Sequence, residues 1–330
     1  MDDMETHNAP SANNEPFLRD LRLFCTVARR SSFIAGASEM GISPAHVSKR
    51  IAALEAMLGA RLFHRTTRRV SMTSDGEAAF QWAQKILDDV EGMVEAVGGI
   101  RRDPRGMLRI STSLRLGRDH VAPALSLLRQ RYPELEVWLE LLDRRVDLIG
   151  ENFDLDIRVG EVQEPHLIAH RIVPGSRILC AAPAYLARRG EPRLPAELAR
   201  HDCLPFRDRE QSFGVWRLHG PNGLESVKVT GPMASNHSDI VRQWALEGYG
   251  VIMASIWDVA PSIRSGKLVR VLPAYHQPAD VWAVTTARAS GSAKMRVCID
   301  FLKAQLTDGP FALATDLGDD AGPGSVRAPA

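Results

Sequence analysis

The sequence predicts an α+β chain of several domains: a small N-terminal winged helix-turn-helix, a long linker helix, and a larger two-lobed α/β domain. Three observations carry this reading. A helix, a short helix, a third helix and a basic hairpin follow one another over residues 17–73. One uninterrupted amphipathic pattern covers 74–99. Beyond a linker of glycines and charges at 100–106, strands and helices alternate through 107–306. The flanks, 1–16 and 307–330, are polar or rich in Gly, Asp, Ala and Pro and are expected to be a disordered arm and tail.

Each element has its own signal. Leu21, Phe24, Cys25 and Ala28 recur at helical spacing between Leu18 and Arg29, with arginines on the opposite face. Ser31 and Ser32 read as the cap of a short helix, Phe33 to Met40, closed by Gly41; Ser43-Pro44 opens a third helix that Gly59 ends. Phe33, Ile42, Val47, Ile51 and Leu54 are the expected core of this module. Leu62 and Phe63 precede, and Val70 and Met72 follow, the basic turn from Thr66 to Arg69, which makes the hairpin or wing. The long helix starts with Ser74 as its cap and Asp75 and Glu77 in the first turn, where the helix dipole favours negative charge. Trp82, Ile86, Val90, Met93 and Val97 draw an apolar stripe along it. Nothing nearby in sequence covers that stripe, so it is assigned to a dimer seam, with burial against its own domain as the alternative.

In the larger domain, Leu108 to Ser111, Leu135 to Leu142 and Leu155 to Val159 read as strands, with helices at Val121 to Arg131 and near Asp147. That rhythm predicts βαβ units and a mainly parallel sheet. A second set of elements runs through Ile178 to Ala182, Ala196 to Ala199, Val227 to Thr230, Ile240 to Glu247, Val251 to Ala254 and Val281 to Thr286, before a final helix at Lys294 to Leu306.

Charge is distributed unevenly. Between Phe17 and Val70, Arg19, Arg22, Arg29, Arg30, Lys49, Arg50, Arg61, Arg65, Arg68 and Arg69 stand against only Asp20, Glu39 and Glu55, in a chain whose net charge is +1. A basic module fused to an acidic remainder is the pattern of a nucleic-acid binder whose other part does something else. No stretch approaches the ~18 apolar residues a membrane span needs, and the acidic N-terminus lacks a signal peptide's basic and apolar regions, so a soluble, cytoplasmic protein is expected. Cys25, Cys180, Cys203 and Cys298 lie far apart without paired spacing, which suggests neither a disulfide framework nor a zinc site; a redox pair of Cys180 and Cys203 is the alternative to plain core packing. No GxSxG, Walker or dinucleotide fingerprint occurs, so no enzyme and no cofactor is expected.

The run SPAHVSKRIAALEAMLGARLFHRTTRRVSMTSDG, Ser43 to Gly76, resembles the DNA-reading half of the LysR-type transcriptional regulators. The resemblance extends more loosely through Gly106 to Ile110, Tyr132-Pro133, Phe153 to Arg158 and His201 to Leu204. It implies a two-lobed effector-binding domain like that of periplasmic binding proteins, a homodimer or homotetramer, and double-stranded operator DNA and a small effector as partners, with RNA polymerase if the protein activates. VSKRIAALE together with RTTRR resembles the hydroxy-dicarboxylate branch, of malate or tartrate catabolism. Many members carry Gln where this chain has Pro44, which removes one potential adenine reader.

The site residues follow from the chemistry. Ser43, Pro44, Ala45, His46, Ser48, Lys49 and Arg50 sit at the start of the third helix, where side chains reach base edges in the major groove. Arg65, Arg68 and Arg69 lie in the wing and suit phosphate or minor-groove contact. Ser111, Thr112 and Ser113 end the first strand of the larger domain, and Ser235 and Asn236 precede a helix, so both turns offer donors for a small anion, most simply a carboxylate. An uncharged or aromatic effector, and a solute-binding protein or enzyme on the same lobed fold, are the rival readings. His166 and His170 stand four apart without a carboxylate to complete a metal site, and none is expected.

Overall fold

The computed structural model describes residues 14–65, 70–98, 104–206, 214–286 and 292–317. They belong to two compact units, 1–100 and 101–330.

In the first unit, α1 (Asn14–Arg30), α2 (Phe33–Met40) and α3 (Pro44–Leu58) enclose Phe24, Val27, Val47, Ile51 and Leu54, all fully buried. Ser32 Oγ accepts from the N–H of Ala35, and Ser43 Oγ from that of His46, so both caps form as the sequence predicts. Gly59 ends α3 with φ 67°, a left-handed conformation that a side chain resists. The wing is the antiparallel pair β1 (Phe63–Arg65) and β2 (Val70–Met72). It is fastened by Glu55, a buried carboxylate that accepts from the N–H groups of Leu62 (2.9 Å) and Phe63 (3.3 Å). Helix α4 (Ser74–Gly98) is capped by Thr73 rather than Ser74: Thr73 Oγ1 accepts from Gly76 N–H at 2.9 Å and donates to Arg61 O at 2.5 Å. A Cβ at Gly76 would stand 2.0 Å from the Leu62 carbonyl oxygen, so only glycine lets α4 start so close to the wing. Ile42, expected in the core, is 36% exposed because it lies in the turn between α2 and α3.

The second unit has two lobes. Lobe 1 holds β3 (Gly106–Thr112), β4 (Leu135–Leu141), β5 (Leu155–Val159), β6 (Leu167–Val173) and β13 (Val281–Thr286), in the order β4-β3-β5-β13-β6. Between β3 and β4 run α5 (Leu114–Leu116), a π-helical turn (Gly117–Val121) and α6 (Ala122–Arg131) as one helical stretch. The core of this lobe gathers Leu108, Ile110, Leu128, Leu155 and Ile157 with Cys298 and Leu302 of α10 (Ala293–Thr307). Lobe 2 centres on β7 (Ser176–Ala181), which pairs antiparallel with β10 (Ile252–Ser255), β11 (Val269–Val271) and β12 (Gln277–Pro278). Around it lie α7 (Pro183–Arg189), the hairpin β8 (Val215–Gly220) and β9 (Gly223–Lys228), α8 (Ser238–Leu246) and α9 (Ile256–Arg264).

The expected mainly parallel sheet is corrected. Among the described strands only the ladders of β3 with β4 and β5 are parallel. The reason is topological: β6 carries the chain out of lobe 1 and β13 carries it back, so these neighbours must run antiparallel. The crossing is clamped by Gly175 N–H to Asp280 Oδ1 (2.9 Å) and Ala279 N–H to Gly175 O (2.8 Å). The helix expected near Asp147 is a turn instead, because the Asp147 carboxylate accepts from the N–H groups of Ile149 and Gly150. The tail expected to be disordered from residue 307 continues in place to Leu317, and Leu313 is 4% exposed within the lobe 1 core. No described helix is long and apolar enough to cross a membrane.

Candidate functional site

Two sites emerge, one in each unit. On the first, Ser43, Pro44, Ala45, His46 and Lys49 are exposed at the N-terminal end of α3 and Ser48 is half-buried beside them. Val47, Ile51 and Leu54, on the other face, pin the helix to the core. A helix so held, with its first turns free, is shaped to enter a major groove. Arg50 departs from the expectation of a DNA contact: its Nε and Nη2 lie 2.5 and 2.6 Å from the two oxygens of the buried Asp20 carboxylate. This forked pair ties α3 to α1, so Arg50 orients the reading helix through the fold. In the wing, the strand β1 includes Arg65, whose side chain lies outside the described residues, as do Arg68 and Arg69 altogether.

The stripe on α4 divides. Ile86 packs against the core of its own unit, as the alternative reading had it, because α4 leans on α1 there. Trp82 and Met93 are 64% and 60% exposed, and Val90 is half-buried. The side chain of Val97 lies outside the described residues. An exposed apolar strip therefore remains, carried by Trp82 and Met93 with Val94.

The second site is a cavity of about 70 Å³ between the lobes of the second unit. At ~10–15 Å³ for each water-sized group it takes a compact molecule of a few such groups. Ser113, Asp143 and Arg158 line it from lobe 1; Arg177, Ser238, Arg242, Ser255, Trp257 and Asp258 line it from lobe 2. Of the five residues expected at an effector site, only Ser113 is among these lining groups. Ser111 and Thr112 are fully buried, and their hydroxyls donate within the sheet to Asp156 Oδ1 and Ile157 O, both at 2.8 Å. Ser111 and Thr112 are still inside β3 and bond to their neighbours on β5, whereas Ser113 lies just past the end of the strand. Ser235 Oγ accepts from His237 N–H at 3.0 Å, an ordinary turn role, and Asn236 is exposed; the cavity meets this segment one turn later, at Ser238.

Arg158 is the group that sequence reasoning missed. Its side chain is 2% exposed, with Nε on Asp156 (2.9 Å) and Nη1 on Glu164 (3.0 Å), while Nη2 is buried with no hydrogen-bond partner. A buried guanidinium nitrogen without an acceptor is costly unless a ligand supplies one. The hydroxyls of Ser113 and Ser255, which precede α5 and α9, make no capping bond and are also available. Against these donors stand two acceptors. Asp143 Oδ2 lies 3.1 Å from His237 Nδ1. Asp258, 5% exposed, faces Arg115 (3.2 Å) and Arg242 (3.4 Å); burial pushes its carboxyl up to about 6 although both arginines pull it down. A signal for Arg158 existed in the sequence, an arginine inside an otherwise buried strand LDIRV, but only the fold brings it opposite α8 and α9.

A roomier hollow of about 420 Å³ shares Arg177, but Arg217, His219, Leu224 and Pro278 on its wall are exposed, which leaves it open to water. All four cysteines are buried, and burial pushes the Cys203 thiol up to about 12 and that of Cys180 higher still, which argues against a redox pair.

Comparison with known proteins bears on both units. Residues 18–77 match the bacterial regulatory helix-turn-helix protein family of lysR type, and residues 101–307 match the LysR substrate binding domain. The chain is 50% identical over 291 residues to the HTH-type transcriptional regulator DmlR of Escherichia coli K12, covering 88% of this chain and 95% of that one. It is 44% identical over 292 residues to the HTH-type transcriptional activator TtdR of the same strain, covering 88% and 94%. Among solved structures, CrgA of Neisseria meningitidis, a LysR-type transcriptional regulator, superposes with a TM-score of 0.55 at 27% identity, covering 91% of this chain and 100% of that one.

Proposed function

The chain belongs to the LysR family of DNA-binding transcriptional regulators, and from that premise we propose that its regulation is governed by a small hydroxy-dicarboxylate, of the malate or tartrate kind, held in the cavity between the lobes. The observation that carries this reading is Arg158: a buried guanidinium on the cavity wall with one nitrogen lacking an acceptor. A ligand carboxylate supplies that acceptor through a charge-assisted bond. Ser113, Ser255 and the first-turn amides of α8 and α9 would hold the second carboxylate. Asp143 and Asp258 give the hydroxyl groups something to donate to, which a plain dicarboxylate would leave unused.

On the other unit, Ser43 to Lys49 would read base edges while Arg65, Arg68 and Arg69 of the wing neutralise phosphates. A homodimer or homotetramer, using the exposed Trp82 and Met93 face, would place two such helices on successive half-sites. RNA polymerase is a further partner if the outcome is activation.

Calorimetry on the full chain tests the ligand. Malate or tartrate should bind, succinate should bind about tenfold more weakly for want of a hydroxyl (~1.4 kcal/mol), and Arg158→Gln should weaken the tight binders by about a hundredfold, in line with loss of a charged hydrogen bond. Tight binding of an aromatic or uncharged compound that survives Arg158→Gln would overturn the proposal.

A further inference from the structure

The chain does not leave the molecule where α10 ends. Gly309 N–H donates to Ala304 O (3.1 Å), and Leu313 N–H turns back to Leu306 O (2.9 Å). Leu313 is buried in the lobe 1 core, with Phe311 packed against the same cluster. The next residue, Ala314, and then Leu317 pack instead against the core of lobe 2, formed by Ile178, Val241, Ile252 and Val259. Within five residues the chain therefore passes from one hydrophobic core to the other. This segment lies beyond residue 307, where the family match ends.

It also touches the cavity wall through a short relay. The carbonyl oxygen of Phe311 is 2.9 Å from His120 Nδ1, which must carry the proton to donate to it. The His120 ring stands edge-on to Trp257 at 5.6 Å, and Trp257 lines the cavity. Beside this relay the lobes are joined by ions: Arg115 of lobe 1 reaches Asp239 (3.1 Å) and Asp258 (3.2 Å) of lobe 2.

We propose that residues 308–317 are an interlobe strap, anchored by Leu313 in lobe 1 and Leu317 in lobe 2, which holds the lobes closed and thereby sets the affinity of the cavity for its ligand. The two crossings at Gly175 and Asp280 allow the lobes to hinge, whereas a third tie on the seam restricts how far they part. A ligand binding to lobes already closed spends less of its affinity on ordering them. The statement about affinity rests on the cavity being the effector site; the statement about closure does not.

The test uses the full-length protein. Leu313 fills a core, so truncation risks unfolding lobe 1; Leu317→Asp releases only the lobe 2 anchor, and Leu317→Met keeps it. Amide hydrogen exchange at residues 114–121 and 238–246 is measured without ligand, and tartrate and malate are then titrated calorimetrically. Leu317→Asp should exchange at least about tenfold faster along the seam and bind the acid about tenfold more weakly, while Leu317→Met matches the parent. Seam exchange unchanged in Leu317→Asp would overturn the strap. If neither acid binds the parent protein, the assignment of the cavity fails, and the exchange data still decide whether the strap closes the lobes.

Discussion

The DNA-reading unit and the effector unit place their functional groups in opposite ways. In the first, the residues offered to DNA occupy one helix and its cap, Ser43 to Lys49, and a compact core behind them fixes their direction. In the second, the cavity is assembled from side chains between Ser113 and Asp258, drawn from strands and helices of two lobes. A contiguous site depends on local geometry; a convergent one depends on the path of the whole chain. Rigid coupling therefore matters most in the first unit, and the balance of buried charge in the second.

The largest effect should come from Gly76. Gly76→Ala places a methyl on the Leu62 carbonyl oxygen, so α4 and the wing cannot both keep their positions. We expect about 3 kcal/mol of lost stability in that unit and no operator binding, from overpacking against backbone. Denaturant unfolding of the full chain should show the effector unit unaffected, and a joint loss of both units would erase the distinction drawn between them.

Arg50 and Lys49, neighbours on α3, sharpen the comparison next. Arg50→Ala strands the buried Asp20 carboxylate and should reduce stability by about 2 kcal/mol. Lys49→Ala should leave stability alone and relax preference at one base pair, by about 1–3 kcal/mol, in a mobility-shift series over operator variants. Equal melting of the two variants would mean that Arg50 does not orient the helix.

The smallest effect is electrostatic and belongs to the cavity. Asp258 has its carboxyl at about 6 in the fold against an ordinary 3.8. Its proton is thus held more tightly in the native state, so stability is gained as pH falls through about 6 and lost as pH rises through it. Asp119 and Asp239 are held below their ordinary range by arginines and act in the opposite sense, but only at more acidic pH. Between about pH 7.5 and pH 5 Asp258 should add stability worth about 1–2 kcal/mol to the effector unit, read as the difference in melting between the parent and Asp258→Asn because His201, held below the ordinary imidazole range by burial, acts in the opposite sense in the same window, and acid binding should tighten. Asp258→Asn should remove both gains.

Legibility in the sequence followed the same division. The caps at Ser32 and Ser43, the glycine stop at Gly59 and the hairpin all stood in short windows and formed as predicted. Thr73 was missed as a cap because Ser74 carries the same signal one residue on. In the second unit, the strand β5 was legible from the alternation of Leu155, Ile157 and Val159, yet the antiparallel return of β13 was not, since nothing local tells a strand which neighbour it will meet. Of the three hydroxyls expected together at one turn, Ser113 lines the cavity while Ser111 and Thr112 bond inside the sheet, and a hydroxyl that bonds inside the sheet looks the same in sequence as one aimed into a cleft. Arg158 needed both lobes in place before its unpaired nitrogen had a meaning.

Footprinting of the full-length protein on DNA flanking its own coding region, with and without tartrate or malate, for the parent and for Arg158→Gln, decides whether the acid acts on DNA binding through the cavity. Both proteins should protect the same site, and the acid should alter protection by the parent alone. A footprint that the acids leave unchanged, or one that responds equally in Arg158→Gln, would contradict that role of the cavity.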